Sequence, residues 1–318
     1  MDRNLALEVV RITEAAALAS ARLMGRGDAE ACDRAAAEAM HRAFEGIGAD
    51  GSIVIGEGRE GAVERLWVGE RIGEANGAAA IDVALDALEG ATVCATGGSN
   101  ALSIIMIAER GRILACPETY MEKVATGPEG RGVVSLEKTP TENLRALAEA
   151  KSVYVEDLTA VILDRPRHDR LVEEVRRAGA RVQLLADGDL AAAIATARPG
   201  TDVDILLGIG GAQQGVLAAG AIEAMGGTME VRFRPRTSDE ASLLRAAGIS
   251  DPERVRTAGE LVGDNVMFAA TGVTGGHLLS GVRFFRGGAR TNSVVMRSRT
   301  RTVRWIEAHH HFDFKPEY

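Results

Sequence analysis

The spacing of apolar residues predicts two helices at the start of the chain. Between positions 5 and 24 apolar residues recur every three or four positions, as the buried face of a helix requires, behind Asp2 as a candidate N-cap. Gly25-Arg26-Gly27 ends this pattern, and Asp28 is a suitable N-cap for a second helix that reaches Phe44. Asp33 then falls in the early turns of that second helix.

Short apolar runs predict strands in the rest of the first half. Residues 52–55 are typical of a short buried strand that ends in a tight turn at Gly56-Glu57-Gly58. Residues 80–85 form a second run that places Asp86 and Glu89 in the loop behind it. Residues 100–107 and 112–115 are predicted to form a hairpin. The first half is therefore expected to be mixed α and β.

From about Thr159 the pattern becomes a strict alternation of strands and helices. Such alternation implies parallel strands joined by right-handed crossovers. The predicted strands are 160–163, 181–185 and 203–207, and the predicted helices are 169–178, 190–197 and 215–225. Helices at 238–247 and 252–261 and strands at 266–269, 281–285 and 293–296 are expected to follow. We expect one α/β unit of two fused lobes, residues 1–150 and 151–318.

Composition narrows the class of protein. The 318 residues are 46% hydrophobic and 26% charged, with no apolar run of about 18 residues, which predicts a soluble, cytoplasmic globular protein that does not bind membranes. A net charge of −8 argues against a nucleic-acid partner, because such a surface needs clustered basic residues. Cys32, Cys94 and Cys116 lack the spacing of metal ligands and are expected to pack as small buried residues.

Three loops at the predicted ends of the parallel strands contain candidate binding residues. Open α/β sheets bind ligands outside the carboxyl ends of their strands. Arg165-Pro166-Arg167-His168 can clamp a phosphate, and Asp187-Gly188-Asp189 suits sugar hydroxyls. The glycine-rich segment 208–212 exposes backbone donors. Together these loops predict a polyhydroxylated, phosphorylated ligand.

Each loop also has a simpler explanation when it is taken alone. Arg-Pro-Arg is often a solvated turn, and Asp-Gly-Asp is often only a turn. The glycine-rich segment is also compatible with a dinucleotide site, since Glu230 lies at the distance expected of a ribose-binding acid. Gln213, however, stands where the third glycine of that motif should fall.

Acidic and amide residues scattered along the chain suggest a site for two metal ions. Carboxylate and amide oxygens bind hard divalent cations, which can hold a phosphomonoester in line with an attacking water. The candidates are Asp33, Glu57, Asp86, Glu89 and Gln214.

The chain resembles the class II fructose-1,6-bisphosphatases, which have the lithium-sensitive, metal-dependent sugar phosphatase fold, over essentially its whole length. That fold is a layered α-β-α-β-α arrangement with mixed sheets. The resemblance rests on ordered blocks at 11–14, 25–28, 53–58, 120–123, 163–168, 187–189, 208–212 and 270–274.

The resemblance implies roles for individual residues. Asp33 and Glu57 would hold one divalent ion, Mn²⁺ or Mg²⁺, and Asp86 and Glu89 a second, with Glu57, Asp86 and Glu89 as the catalytic carboxylates. Gln214 stands at the remaining metal position. The Glu89-Gly90-Ala91 segment would lie near the scissile phosphate, and the substrate would be held by Tyr120, Arg165, Arg167, Asp187, Asp189 and Gly211. A homodimer or homotetramer is also implied.

The chain departs from the family pattern at several of these positions. Ala87 replaces a proline, and Ala91 replaces the threonine whose hydroxyl helps to orient the attacking water, with Thr92 next to it. Gln213-Gln214 replaces Pro-Glu, so that a metal carboxylate becomes a neutral amide. Ala29 stands where a lysine is common, and Arg59 where an acid is common.

Three hypotheses follow. The first is a metal-dependent phosphomonoesterase of a phosphorylated sugar, with a diverged substrate or reduced activity as one version of it. The second is a catalytically silent relative that binds sugar phosphate as a sensor or partner, because Ala91 and Gln214 remove catalytic groups. The third is a nicotinamide-dependent oxidoreductase that uses the glycine loop.

The histidines are not decisive. His168 is assigned equally to acid-base and structural roles, and His309-His310-His311 to a solvated tail.

Overall fold

A computed structural model of the chain describes residues 5–45, 47–74 and 79–314. The predicted cap Asp2 lies outside these residues. The α-helices are α1 (Leu5–Ala21), α2 (Ala29–Ala43), α3 (Ala91–Thr96), α4 (Pro140–Lys151), α5 (Asp169–Ala178), α6 (Asp189–Thr196), α7 (Ala212–Met225), α8 (Ser238–Ala246) and α9 (Ala258–Val262).

Fourteen strands are described. They are β1 (Asp50–Ile55), β2 (Arg71–Ile72), β3 (Ala80–Glu89), β4 (Leu102–Glu109), β5 (Tyr120–Thr126), β6 (Thr159–Leu163), β7 (Arg181–Leu185), β8 (Ile205–Gly211), β9 (Thr228–Phe233), β10 (Arg256–Thr257), β11 (Met267–Gly272), β12 (Arg283–Phe285), β13 (Gly288–Arg297) and β14 (Thr302–His311). No helix among the described residues is long and apolar enough to cross a membrane.

The elements form two units, each built around its own mixed sheet. The first unit comprises the described parts of Met1–Ile113 and Asn265–Tyr318, and the second is Leu114–Asp264. The α/β class with two mixed sheets is confirmed. The units differ from the expected lobes, because strand β11 pairs with β4 and thereby joins the carboxyl-terminal segment to the first sheet. The expected boundary near residue 150 falls inside the second unit.

The sheet of the first unit has the order β12-β13-β11-β4-β3-β1-β2, with β14 paired to β13. Strands β1 and β3 are parallel, so their carboxyl ends lie at the same edge. Helix α1 packs against β11 and β13. Val9 and Ile12 of α1 belong to a buried cluster that includes Leu85 and Ile105 of the sheet. Such burial contributes about 1.5–3 kcal/mol per large side chain.

The sheet of the second unit has the order β10-β9-β5-β8-β6-β7. Strand β6 pairs in parallel with both β7 and β8, which confirms the predicted alternation of strands and helices. Strand β5 is antiparallel to β8 and places Tyr120 opposite Gly211. Helix α4 begins with a capping box between Thr139 and Glu142, with Pro140 at its first position.

Some predicted elements were wrong at their ends. Residues 112–115 do not form the second strand of a hairpin, because the backbone N–H groups of Arg112 and Ile113 donate to the Asp82 carboxylate instead. The helix predicted at 252–261 is confined to α9, which begins after β10.

The three histidines near the carboxyl terminus lie in strand β14, not in a solvated tail. His310 is buried, and its Nε2 lies 2.8 Å from the hydroxyl of Thr291, which in turn donates to Glu14. The period of a strand explains the difference, since alternate residues face opposite sides and only the central histidine of the three faces inward. Cys32, Cys94 and Cys116 are buried thiols without disulfides, as expected.

Candidate functional site

Asp33 is held by the amino-terminal part of helix α2. The Asp28 side chain accepts a hydrogen bond from the backbone N–H of Ala31 at 2.9 Å and so caps the helix as predicted. Helix α2 packs against β3, and the Asp33 side chain is half-buried. Asp33 is close enough to Asp86 of β3 for the two charges to interact.

Glu57 is positioned by a close approach of two backbone segments after β1. Its N–H donates to the carbonyl oxygen of Leu66 at 3.0 Å. A side chain at Gly56 would overlap that carbonyl oxygen, so this position requires glycine. Leu66 itself has a left-handed backbone with φ of +58°, which is uncommon for a residue other than glycine. The Glu57 carboxylate accepts a hydrogen bond from the N–H of Ala87 at 2.7 Å.

Asp86 and Glu89 lie on the same side of strand β3 because the strand contains a β-bulge between them. Asp86 pairs with Ile104 of β4, and Glu89 pairs with Leu102. Residues two apart on β4 face the same side, and paired residues share that side. The three-residue step from Asp86 to Glu89 therefore brings both carboxylates to one face, where a regular strand would separate them.

The accumulated negative charge in this region changes the protonation of its acids. Burial, followed by the charge of Asp86, raises the pKa of Asp33 to about 6. Burial, followed by the charges of Asp86 and Asp33, raises the pKa of Glu57 to about 8, against the opposing effect of the Ala87 hydrogen bond. Burial is thus the main cause of both shifts, and repulsion between the carboxylates adds to it; nearby positive charge would oppose both effects.

The chemistry of Asp33, Glu57, Asp86 and Glu89 fits a hard divalent cation. Their donors are carboxylate oxygens, which Mg²⁺ and Mn²⁺ prefer, and Asp33, Glu57 and Asp86 are close enough for their negative charges to interact. Across residues 5–45, 47–74 and 79–314, no group of three or more His, Cys, Asp or Glu side chains is arranged so that it could hold a metal ion.

The positions after the bulge show where hydroxyl groups are available. Ala91 is the first residue of α3, directly after Gly90, whose φ of +84° suits glycine. Ala91 is half-buried, whereas the neighbouring Thr92 is exposed. Thr92 is therefore the more exposed of the two residues that follow Gly90.

In the second unit, Tyr120 begins strand β5 and is contacted by two arginines. The guanidinium carbon of Arg167 lies 5.3 Å from the centre of the Tyr120 ring, and that of Arg236 lies 4.0 Å from it. The Nε and Nη2 groups of Arg167 donate to the carbonyl oxygen of Ile209 at 3.1 and 2.8 Å. The predicted pair of Tyr120 and Arg167 is thus brought together.

Arg165 turns toward the loop after β7. Its Nη1 group donates to the carbonyl oxygens of Asp164 and Ala186 at 2.9 and 2.7 Å. Its Nη2 group lies 3.9 Å from the carboxylate of Asp187. Arg165 and Asp187, both predicted to bind substrate, therefore form one pair, and both are partly exposed.

Asp189 is buried and forms an ion pair that the sequence did not predict. Its carboxylate lies 2.7 Å from Nζ of Lys123 on β5, and both side chains are less than one-tenth exposed. A side chain at Gly210 would overlap the Asp189 carboxylate, so the pair depends on that glycine. A buried pair with this geometry fixes the start of α6 against β5, and removal of one partner would leave a buried charge.

Gly211 and Gln214 lie together at the start of helix α7. A side chain at Gly211 would overlap the Gln214 amide oxygen, which shows that this oxygen lies close to the Gly211 backbone. Gln213 donates to the carbonyl oxygen of Cys116 at 3.2 Å. Gln214 belongs to the second unit, whereas Asp33, Glu57, Asp86 and Glu89 belong to the first.

His168 links two loops through both of its ring nitrogens. Nδ1 lies 2.8 Å from the carbonyl oxygen of Leu163, and Nε2 lies 2.8 Å from the backbone nitrogen of Ile209. Nδ1 must donate and Nε2 must accept, so the ring is neutral. Burial lowers the pKa of His168, which agrees with this assignment. These contacts favour the structural role for His168.

A cavity of about 310 Å³ lies in the second unit next to His168. That volume is at the lower end of the range for small-molecule sites. Its charged lining residues are Glu122, Lys123, Lys138, Arg167, Arg170 and Glu174. Four of these are basic and two are acidic, which favours an anionic occupant.

Sequence reasoning missed Lys123 and Arg236. Lys123 was noted only as part of a block, and no local pattern reveals its partner, which is 66 residues away. Arg236 had an available signal, because Arg234-Pro235-Arg236 repeats the pattern of Arg165-Pro166-Arg167.

Comparisons with known proteins agree with this architecture. Residues 3–310 match the model of the family described as bacterial fructose-1,6-bisphosphatase, glpX-encoded. Two relatives named D-fructose 1,6-bisphosphatase class 2/sedoheptulose 1,7-bisphosphatase are each 40% identical. One is from Synechococcus elongatus and covers 98% of both chains. The other is from Thermosynechococcus vestitus and covers 98% of this chain and 97% of its own.

A third relative with the same name, from Microcystis aeruginosa, is 39% identical over 100% of this chain and 99% of its own. The family match and these relatives cover nearly all of both units. The expected resemblance is therefore confirmed: the chain belongs to the bacterial, glpX-encoded fructose-1,6-bisphosphatase family.

Proposed function

We propose that this phosphoric monoester hydrolase removes one phosphate from a sugar bisphosphate such as fructose 1,6-bisphosphate or sedoheptulose 1,7-bisphosphate, with Mn²⁺ or Mg²⁺ as cofactor. The family depends on metal ions. Asp33, Glu57, Asp86 and Glu89 are the residues that would hold the cation. When bound, a divalent cation supplies positive charge against the phosphoryl oxygens.

The observation on which this proposal rests is that three carboxylates from separate elements lie close together. Asp33, Glu57 and Asp86 come from α2, the end of β1 and β3, yet the charge of Asp86 acts on Asp33 and Glu57, and that of Asp33 acts on Glu57. An assembly that raises the pKa of its own acids opposes folding of the free protein. A cation offsets that cost, and we expect the carboxylates to draw together around it.

The remaining residues of the proposal bind the substrate. Glu89, Gly90 and Ala91 form the turn from β3 into α3, and the backbone there would contact the scissile phosphate. In the second unit the proposed substrate-binding residues are Tyr120, Arg165, Arg167, Asp187, Asp189 and Gly211, with Gln214 as an uncharged metal ligand. Asp189 would act through Lys123, to which its carboxylate is bonded.

Neither alternative hypothesis gains support. The family and the named relatives give no support to a silent binding protein. The nicotinamide hypothesis needs Glu230 for a ribose, but that carboxylate accepts hydrogen bonds from Ser135 and Leu136 at 2.8 and 2.9 Å. The cytoplasmic location and the homo-oligomeric state stay predictions.

Phosphate release from both sugar bisphosphates, with Mn²⁺ or Mg²⁺ and with the chelated protein, tests the proposal. We expect hydrolysis only with a divalent cation, and a loss of at least about a hundredfold in kcat for Glu57→Gln. Glu60→Gln is the matched control, because Glu60 is exposed on the same loop and should keep full activity. Equal activity of the chelated and loaded proteins would contradict the assignment.

A thermal shift assay provides a second readout without turnover. A cation at a hundred times its Kd stabilises the folded protein by about 2.7 kcal/mol. We therefore expect Mn²⁺ to raise the Tm of the wild type and of Glu60→Gln, but much less that of Glu57→Gln.

A further inference from the structure

We propose that Arg236 is a specificity-determining residue that binds the phosphate remote from the scissile one, together with Arg167 and Tyr120. The inference rests on the proposed function, since it concerns the second phosphate of a sugar bisphosphate. Arg236, from the segment after β9, would add a guanidinium to a site that is otherwise built from the ends of β5 and β6.

The two arginines share one aromatic ring. The guanidinium carbons of Arg236 and Arg167 lie 4.0 and 5.3 Å from the centre of the Tyr120 ring. Both distances are within the range of cation–π contacts, which orient a guanidinium while leaving its edge available. The proposed phosphate site therefore consists of the Tyr120 phenol and the two guanidinium groups around its ring.

Arg236 is held in place by its own anchor. Its Nε and Nη2 groups donate to one oxygen of Glu240 at 3.0 and 2.7 Å. The other oxygen of Glu240 accepts from the backbone N–H of Arg236 at 2.7 Å and from the Thr119 hydroxyl at 3.2 Å. Thr119 directly precedes Tyr120, so this anchor connects Arg236 to the strand that positions the ring. A fixed guanidinium loses less conformational entropy when it binds an anion.

Each arginine retains a donor for a ligand. Arg236 uses Nε and Nη2 for Glu240, and Arg167 uses Nε and Nη2 for the carbonyl oxygen of Ile209. Within the described part of the chain, the Nη1 group of neither arginine forms a hydrogen bond. The Arg236 side chain is also 61% exposed and therefore accessible to a small molecule. Two guanidinium donors and a phenol match the several acceptor oxygens of a phosphate.

The neighbouring arginine of the same motif behaves differently. Arg234 donates to Glu122 at 3.1 and 2.6 Å through Nε and Nη2, and to Glu253 at 2.7 Å through Nη1. All three nitrogens of its guanidinium are thus bonded to carboxylates. Of the two arginines in Arg234-Pro235-Arg236, only Arg236 keeps an Nη group that is not bonded to a carboxylate, so Arg236 is the better placed to bind an anion.

Steady-state kinetics on two substrates test this inference. One substrate is fructose 1,6-bisphosphate, and the other is phenyl phosphate, a monoester with no second phosphate. We expect Arg236→Gln to raise KM for the bisphosphate by at least about tenfold, with kcat and the kinetics of phenyl phosphate changed by less than about twofold. Arg236→Lys should recover part of the loss, since it restores the charge without the planar fork. The control is Arg245→Gln, an exposed arginine of α8 whose side chain donates to Ser242 and which should behave as the wild type.

Equal effects of Arg236→Gln on both substrates would show a merely structural role and overturn the inference. Unchanged KM for the bisphosphate would overturn it as well.

Calorimetric titration of the metal-free protein with fructose 6-phosphate separates this inference from the proposed function. We expect Arg236→Gln to weaken binding by about tenfold and Arg245→Gln to leave it unchanged. Arg236-dependent binding without hydrolysis of any substrate would contradict the proposed function alone. Binding that does not depend on Arg236 would contradict the inference alone, and a wild type that neither binds nor hydrolyses sugar phosphates would contradict both.

Discussion

The carboxylate of Glu57 accepts a hydrogen bond from the backbone N–H of Ala87, with 2.7 Å between the oxygen and the nitrogen. This bond connects the end of β1 to the bulge of β3. Proline, which the family pattern has at this position, has no N–H group to donate. The alanine therefore gives Glu57 a partner that a proline would not.

Ala87→Pro should free one oxygen of Glu57 for a cation. The N–H of Ala87 competes with the metal for that oxygen, so we expect Mn²⁺ to bind the variant about fivefold more tightly, as the loss of one hydrogen bond would give. Proline is tolerated at bulges, where it removes no bond of the sheet. Calorimetric titration with Mn²⁺ measures the change. The same substitution in a Glu57→Gln background should have no effect, and a fivefold change there would refute the explanation.

Thr92 should not replace the missing hydroxyl at position 91. Its side chain is exposed and Ala91 is the half-buried residue of the two, so we expect Thr92→Ala to retain wild-type kcat. Ala91→Thr should raise kcat by about tenfold, since it restores a hydroxyl beside Glu89 and Gly90. Phosphate release under saturating Mn²⁺ measures both. A large loss in Thr92→Ala would mean that the turn shifts by one residue when substrate binds.

The buried pair of Lys123 and Asp189 should dominate the stability of the second unit. Lys123→Met leaves the Asp189 carboxylate buried without its partner, and we expect a loss of about 3–5 kcal/mol. The double variant Lys123→Met, Asp189→Asn should recover much of that loss, because no buried charge remains. Urea denaturation of the two single variants and the double variant measures the coupling. Additive losses would show that the pair is not coupled.

Stability should depend on pH through His168. Because the pKa of His168 is lower in the folded than in the unfolded protein, the unfolded chain binds more protons below pH 6.5. The stabilising contribution of His168 is thus fully present above pH 6.5 and is lost as the pH falls through the folded value. Protonation would also break the bond that Nε2 accepts from Ile209. Denaturant unfolding at pH 5.5 and 7.5 should show a smaller pH dependence in His168→Gln, but not in His311→Gln, which changes an exposed histidine. Identical pH dependence in His168→Gln and the wild type would show that His168 is not a source of the pH dependence of stability.

Local patterns were sufficient for most of the fold. The N-cap Asp28, the alternation from β6 to α7 and the buried β1 are confirmed because each depends on short-range chemistry. Pairing between distant strands could not be predicted in this way. Strand β11 joins β4 although more than 150 residues separate them, and this pairing sets where the two units divide.

The same limit applies to the candidate site. Periodicity could place Glu57 at a strand end and Asp33 in a helix, but it could not show that their charges interact. The partner of Asp189 was not predicted because Lys123 lies on strand β5, 66 residues away along the chain. The contact of Arg236 with Tyr120 was not predicted because the two residues belong to distant segments. Contacts of this kind depend on tertiary structure, which the spacing of residues along the chain does not reveal.

The extra residue in β3 determines how the two acids of this strand can be spaced along the chain. Deletion of either Ala87 or Leu88 would restore the regular pleat and leave the aspartate and the glutamate two positions apart, the spacing at which two residues of a regular strand share one face. A homologue with a one-residue gap at this point would therefore be expected to keep both carboxylates on one face, whereas a homologue with the three-residue spacing but no bulge would separate them.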